Sequence, residues 1–321
     1  MKTMRRFLLI IVFALALTVA LACSPQQPQP QNLPATANQS ASMVTQAAVV
    51  PSATPTPEPP TATPTPQPPT ETPTPAFPPP EPQEVTFEGS KGALYGRYYP
   101  AAASQASLVV LIHWVRGDMN DWNEIAVWLQ NRGLQNPYPN PGNAPWWAPA
   151  WFPAMPEGRS YAVFTFSLTG CQPGGCADWT PDIWRSDIAA AMRKAAELPG
   201  VDPQHIVVIG SSIGADGAVS GCDVLNQMAQ ANCPGALSLS PGGYLNVSYR
   251  QAVEALFKNN PQSAAWCLAD EKEFGFCQVE QSAVRAVKIP GGGHGTELLR
   301  PNLDPLPMQL ILDFLAQTLG Q

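Results

Sequence analysis

The sequence predicts an α/β fold: a mostly parallel sheet of about eight strands with helices on both faces. Beyond Glu84, short apolar runs alternate with stretches of helical period, the pattern of strand–helix repeats. Several runs, such as Leu108-Val-Val-Leu-Ile112, are continuously apolar, as expected of strands buried on both faces. The composition after the first quarter of the chain is ordinary for a globular domain, rich in Ala, Val, Leu and Gly.

Taken in order, Glu84–Glu88 and Leu94–Tyr99 form a strand pair around a Gly turn, and Ser107–His113 is the first fully buried strand. A helix over Asp121–Asn131 follows, ended by Gly133, and Tyr161–Leu168 is the next strand. Thr180 caps a helix reaching Leu198, with Ile183, Ile188, Ala191 and Met192 on one face. His205–Ile209 is another buried strand, and a helix starts after Ser212. Ala236–Leu239, Ala264–Ala269 and Val284–Ile289 complete the strands, with helices at Tyr249–Lys258 and Met308–Leu319.

The N-terminus stands apart from this pattern. Lys2, Arg5 and Arg6 precede an apolar stretch from Phe7 to Leu21, shorter than the roughly 20 residues a membrane span needs. The stretch ends in Val19-Ala20-Leu21-Ala22-Cys23, which resembles a bacterial lipobox and implies lipidation of Cys23. The other reading is a plain signal peptide cleaved near Ala22. Residues 23–83 hold about half of the 38 prolines, many in Thr-Pro units, and show no apolar periodicity. Such a segment buries too little apolar surface to offset its ordering entropy, and reads as an extended spacer. The expected organisation is therefore a signal peptide over 1–22, a lipid-anchored stalk over 23–83 and a folded domain over 84–321.

A net charge of −7 argues against nucleic acid or an anionic membrane surface as partner, leaving the lipid anchor as the expected membrane link. Setting Cys23 aside, six cysteines remain, in close pairs: Cys171 with Cys176, Cys222 with Cys233, Cys267 with Cys277. Fifteen pairings are possible on paper, local closure is the simplest, and an exported protein permits it. No cysteine pair has the His neighbours or spacing of a zinc site, so no metal or other cofactor is expected.

The sharpest motif is Gly210-Ser211-Ser212-Ile213-Gly214, a Gly-x-Ser-x-Gly pattern centred on Ser212. By composition alone the pattern arises in roughly one chain in ten of this length, so its context decides. It follows a buried strand directly and opens a helix, the setting of a nucleophile elbow. The turn is tight enough that side chains two residues to either side would collide, and a helix start offers free amides to an oxyanion. A serine also needs a base. Of the three histidines, His205 opens the strand that ends at the elbow, and His113 precedes the serine by about a hundred residues. His294 lies in Pro290-Gly-Gly-Gly-His-Gly, a run able to carry an imidazole over the elbow.

From Glu84 onward the chain resembles the α/β-hydrolase superfamily, nearest its esterase, dienelactone-hydrolase-like and prolyl-oligopeptidase-like branches. The stretch Asp202-Pro-Gln-His-Ile-Val-Val-Ile-Gly-Ser-Ser-Ile-Gly-Ala215 is similar to the segment holding the nucleophile there. The resemblance implies the order serine, acid, histidine, which fits Ser212 and His294. The acid is expected after Ala269, among Asp270, Glu271 and Glu273. Glu271-Lys-Glu273 resembles a family Glu-Lys-Asp, which favours Glu273 with Asp270 as the alternative. The oxyanion donors it implies are the amides of Ile213 and of Val115, Val115 standing in a His-Gly-x position where Trp114 replaces Gly. Trp114, with Trp146, Trp147 and Trp151 of a Pro- and Trp-rich insertion, is one expected substrate wall; the equal alternative is a loop packed on the domain's own surface. The expected activity is hydrolysis of small-molecule esters through an acyl-enzyme. The alternatives are a prolyl-oligopeptidase-like serine peptidase and a non-catalytic surface-binding module.

Overall fold

The computed structural model describes residues 77–136, 149–280 and 283–320. Cys23, Trp146 and Trp147 lie outside the described residues, as does the segment expected to be signal peptide and most of that expected to be stalk. The described residues build an eight-stranded sheet: β1 (Gln83–Gly89), β2 (Gly92–Tyr99), β3 (Ala106–Ile112), β4 (Ala162–Phe166), β5 (Val201–Ser211), β6 (Gly235–Leu239), β7 (Ala264–Ala269) and β8 (Val284–Lys288). Their spatial order is β1-β2-β4-β3-β5-β6-β7-β8. The β1–β2 and β2–β4 pairings are antiparallel, and every other pairing is parallel.

Five α-helices accompany the sheet among the described residues: α1 (Asn123–Gln130), α2 (Pro181–Ala196), α3 (Ile213–Asn226), α4 (Tyr249–Asn259) and α5 (Pro307–Leu319). Alternate residues of the central strands face opposite sides, as the pleat requires. Leu108, Val110, Ile206 and Val208 pack with Ile188 of α2, Val219 of α3 and Val253 of α4. Val109, Leu111, Val207 and Ile209 pack with Ile125 of α1 and Phe314 of α5. All of these strand residues are fully buried, so both faces of the sheet are covered, and continuous apolar runs are what the sequence must supply there.

The local differences from the sequence reading have physical causes. The first helix starts as a 3-10 turn over Met119–Trp122, whose cap is Asp118 accepting from Asn120 N. It ends at Asn131 in the left-handed region (φ 48°), two residues before the glycine expected to stop it. Asn is among the few residues that adopt that conformation at low cost. Thr180 makes no side-chain cap; α2 opens on Pro181, whose fixed φ suits a first helical position. The last prolines of the expected spacer lie against the domain, with Pro80 O accepting from Gln130 Nε2 at 2.7 Å and Pro78 O from Arg132 Nη1 at 2.7 Å. A two-stranded ribbon at Cys171–Gln172 and Gly175–Cys176 is an element the sequence reading did not contain.

The three disulfides follow the local pairing: Cys171–Cys176, Cys222–Cys233 and Cys267–Cys277. Cys222–Cys233 links the last turns of α3 to the segment entering β6, at the end of the sheet away from the elbow. Opening it as Cys222→Ala/Cys233→Ala is expected to cost about 2–3 kcal/mol of unfolding free energy, from the entropy of a short closed loop. Denaturant unfolding checks this, and the mutant's near-UV circular dichroism is expected to remain that of a folded domain.

Candidate active site

β5 runs straight into the Gly210–Gly214 turn. Ser212 occupies φ 56°, ψ −114°, outside the regions that L-residues prefer. A Cβ on Gly210 would stand 1.8 Å from Gly214 O, and one on Gly214 would stand 2.3 Å from Ile112 O of the neighbouring strand. Both positions therefore exclude any side chain. Ser212 N donates to Leu239 O at 2.8 Å, which ties the turn to β6. The Oγ is thereby presented at the C-terminal edge of the sheet, at the N-terminus of α3, where first-turn amides have no intrahelical partner. The amide of Ile213 is one of them.

His294 Nε2 lies 2.8 Å from Ser212 Oγ, and its Nδ1 lies 2.8 Å and 3.0 Å from the two carboxylate oxygens of Glu273. A carboxylate at Nδ1 fixes the tautomer that leaves Nε2 free to accept a proton. Both side chains are about a third exposed, at 35% and 28%, so this edge of the site opens to solvent.

Glu273 sits in a loop after β7 that the Cys267–Cys277 disulfide closes. The two neighbouring acids have different partners. Asp270 accepts from Lys272 N at 3.0 Å and Gly293 N at 3.4 Å, and Glu271 accepts from Gly291 N at 2.9 Å. Asp270, the alternative acid, thus holds the glycine run and not the imidazole. Burial opposes its charge, but those amides keep its pKa below the usual carboxylate value. His294 N itself donates to Glu297 Oε2 at 3.0 Å, and Arg300 Nη2 donates to Gly291 O.

The other two histidines lie elsewhere. His205 is exposed and pairs with Asp202 at 2.7 Å. His113 is fully buried, and burial pushes its pKa down. Its Nε2 accepts from Leu168 N at 3.1 Å, so its Nδ1 carries the proton and donates to Trp114 O at 2.7 Å. Trp114 O also accepts from Gly117 N, and Val115 O accepts from Cys176 N at 2.9 Å. The two carbonyls of the loop after β3 are therefore tied down, the second by the disulfide ribbon.

Of the expected substrate wall, Trp114 is at the site: a Cβ built on Gly295 would lie 3.1 Å from its ring and 3.6 Å from Ser212 Cβ. Trp151 packs elsewhere, edge-on against Phe152 at 5.5 Å, which in turn packs on Trp128 of α1 at 5.4 Å. The wall residue the sequence reading missed is Tyr244, edge-on to the His294 ring with centroids 6.0 Å apart, and backed by Trp179 at 6.3 Å. A signal was present: Pro241-Gly-Gly-Tyr244 follows β6 after Ser240, at the strand edge where sites of such sheets form. Cys171 and Cys176, grouped with His113 by proximity, are joined as a disulfide and offer no thiolate to a metal.

The fold of the described residues is also found in solved structures. EstE1, a thermophilic and thermostable carboxylesterase cloned from a metagenomic library, superposes with a TM-score of 0.51 at 16% identity, over 76% of this chain and 90% of its own. DcsB, solved in complex with its substrate analogue, gives 0.51 at 10% identity, over 75% of this chain and 100% of its own. The protein has the α/β-hydrolase fold. No family model matches the sequence, and no curated protein matches it. At these identities the likeness carries the fold and leaves the chemistry to the residues of this chain.

Among the acids near the site of this α/β-hydrolase fold, Asp121 stands out. Burial, with the nearby charge of Asp118, pushes its carboxyl up to about 7, against the hydrogen bond from the Trp114 indole. A carboxyl whose pKa is raised on folding favours the native state most below its unfolded value near 3.8, and that contribution is lost as pH rises through about 7. Asp121→Asn is therefore expected to flatten the decline in unfolding free energy between pH 4 and pH 8, by up to about 4 kcal/mol. Urea titrations across that range check it; an unchanged slope contradicts the raised pKa.

Proposed function

We propose that this protein is a serine hydrolase cleaving carboxylic esters through an acyl-enzyme intermediate. The observation that carries the reading is the unbroken chain Glu273–His294–Ser212, with 2.8 Å at each link. It combines a nucleophile on a strained turn at a helix start with a base and an orienting acid brought in by two other loops.

The chemistry follows from those positions. His294 Nε2 takes the Ser212 hydroxyl proton as Oγ bonds to the ester carbonyl carbon. The carbonyl π electrons move onto oxygen, and the amides of Ile213 and Val115 are the proposed donors to that oxyanion. Such donors contribute roughly 3 kcal/mol each at a transition state. Collapse of the intermediate breaks the bond to the alcohol oxygen, which takes the proton from His294. A water, deprotonated by the same imidazole, then releases the acid and restores Ser212. Glu273 stays ionised throughout and balances the imidazolium. No cofactor enters this scheme. Trp114 and Tyr244 border the reacting centre and favour a small-molecule ester with an apolar group. EstE1's description as a carboxylesterase agrees with this choice of substrate.

Ser212→Ala is expected to abolish p-nitrophenyl acetate and butyrate hydrolysis together with fluorophosphonate labelling, a loss on the order of 10⁴-fold or more in kcat. Glu273→Gln is expected to cost roughly 10³- to 10⁴-fold, and Asp270→Asn far less. Ester turnover that survives Ser212→Ala overturns the proposal. Peptide cleavage without ester turnover points to the peptidase, and inertness to the probe to a binding module.

The reading includes export and anchoring at Cys23, with the Pro-rich segment as spacer. Its support is the Lys2–Cys23 pattern and three disulfides, which an oxidising compartment favours. Metabolic labelling with palmitate is expected to mark the wild type and not Cys23→Ser, and processing is expected to be sensitive to globomycin. Equal labelling of both proteins contradicts the anchor.

A further inference from the structure

We propose that Asp216 is a positioning residue of the hydrolytic site: it ties residues 242–245 to the nucleophile helix and so holds Tyr244 as the wall against which the His294 imidazole rests. The inference builds on the serine-hydrolase reading above and assigns a task to a buried acid that reading leaves unused.

Asp216 lies in the first turn of α3, four residues after Ser212, and is 2% exposed. Its Oδ1 accepts from Gly242 N at 3.1 Å and its Oδ2 accepts from Tyr244 N. The amides of Gly243 and Leu245 are directed at the same carboxylate. The charged or titratable groups acting on it are the phenols of Tyr244 and Tyr249. Among the described residues its hydrogen-bond partners are backbone amides, so backbone dipoles and the helix N-terminus compensate its charge. A buried carboxylate is costly unless its oxygens are hydrogen-bonded, and here a single side chain gathers successive amides of one loop.

That loop has no regular structure of its own. The chain leaves β6 at Leu239, passes Ser240 in the left-handed region (φ 57°), and turns through Gly243 (φ 83°). Its inward amides have no strand or helix to pair with, and Asp216 takes that place. The Tyr244 ring folds back over Gly242, where a Cβ would lie 2.4 Å from Tyr244 Cζ. From there the ring meets the imidazole of His294 edge-on at 6.0 Å. Burial raises the Tyr244 pKa, and Glu273 and Asp216 raise it further, so the phenol stays neutral beside the Glu273 carboxylate.

The imidazole thus has three neighbours with three effects. Glu273 fixes its tautomer, Ser212 lies on its reacting nitrogen, and Tyr244 limits its swing out of line. Because Ser212 caps α3 and Asp216 lies in its first turn, nucleophile and wall are tied to one helix. A misplacement of about 1 Å at such a centre costs on the order of 100-fold in rate.

The test is steady-state hydrolysis of p-nitrophenyl acetate by the wild type and four variants, with thermal unfolding and near-UV circular dichroism to show that each is folded. In Asp216→Asn an NH₂ replaces one acceptor and faces backbone N–H donors, while the shape is kept. It is expected to lower kcat roughly 10- to 100-fold with KM changed less than about twofold. Tyr244→Phe keeps the ring and is expected to retain at least several-fold more kcat than Tyr244→Ala, which is expected to match Asp216→Asn. The double variant Asp216→Asn/Tyr244→Ala is expected to be no slower than the slower single, since both act through one wall. A folded Asp216→Asn with wild-type kcat, or losses that multiply in the double variant, overturns the clamp while leaving the serine hydrolase standing. Should Asp216→Asn not fold, Tyr244→Phe and Tyr244→Ala decide: equal kcat in the two overturns the clamp. A wild type inert to ester and to fluorophosphonate overturns the hydrolase reading, and the clamp with it.

Discussion

The backbone at Ser212 is the constraint on which the rest of the site depends. A non-glycine residue there, at φ 56° and ψ −114°, carries a strain of about 1–3 kcal/mol. It is sustained from several sides. Ser212 N is held by Leu239 O of β6, Gly214 abuts Ile112 O of β3, and the turn continues a strand whose residues 206–211 are fully buried. Two adjacent strands and a helix start define the turn, so relaxing it would require the centre of the sheet to shift. The strain points one hydroxyl out of the sheet edge and aligns it with a helix dipole.

Around that rigid point, the other groups arrive on separate loops, and each loop is held by local devices. The acid loop is closed by Cys267–Cys277. The glycine run before His294 is pinned by Asp270 and Glu271, and Arg300 holds Gly291 O. The loop after β3 is fastened by His113 on Trp114 O and by the Cys171–Cys176 ribbon on Val115 O. Its far side is anchored by a buried polar network, in which Arg97 Nη1 donates to Asn123 Oδ1 at 2.8 Å and Tyr99 OH donates to the same oxygen at 3.0 Å. Each such bond contributes only about 1 kcal/mol net, but together they remove the freedom that would otherwise separate base from nucleophile.

Buried charge is spent sparingly. Charged residues are 13% of the sequence, yet Asp121 and Asp216 are buried beside the site. Burial is the largest influence on both, raising Asp121 to about 7 and Asp216 to about 6. Both face loop segments that border Ser212, one through the Trp114 indole and the other through the amides before and after Tyr244. Glu273, which holds the imidazole, and Glu271, on the glycine run, are by contrast solvent-accessible, whereas Asp270 on the same run is buried.

The sequence by itself determined the sheet, its covered faces, the elbow at Ser212 and the choice of His294 over His113 and His205. These features are local: burial on two faces shows as continuous apolar runs, and a turn without room for side chains shows as paired glycines. Residue types alone could not divide tasks among Asp270, Glu271 and Glu273, because three neighbouring carboxylates differ only in which way the loop turns them; only the resemblance favoured Glu273. The sequence left open whether Trp151 faces the substrate or packs on the domain, and the structure stacks it edge-on against Phe152, which in turn packs on Trp128 of α1. The Pro241-Gly-Gly-Tyr244 run after β6 marked a loop at the strand edge, but the tasks of Tyr244 and Asp216 were decided by tertiary structure. Their meaning depends on contacts between α3, the β6 loop and a histidine 50 residues farther along the chain than Tyr244, and no spacing in the sequence encodes which amide will face which carboxylate.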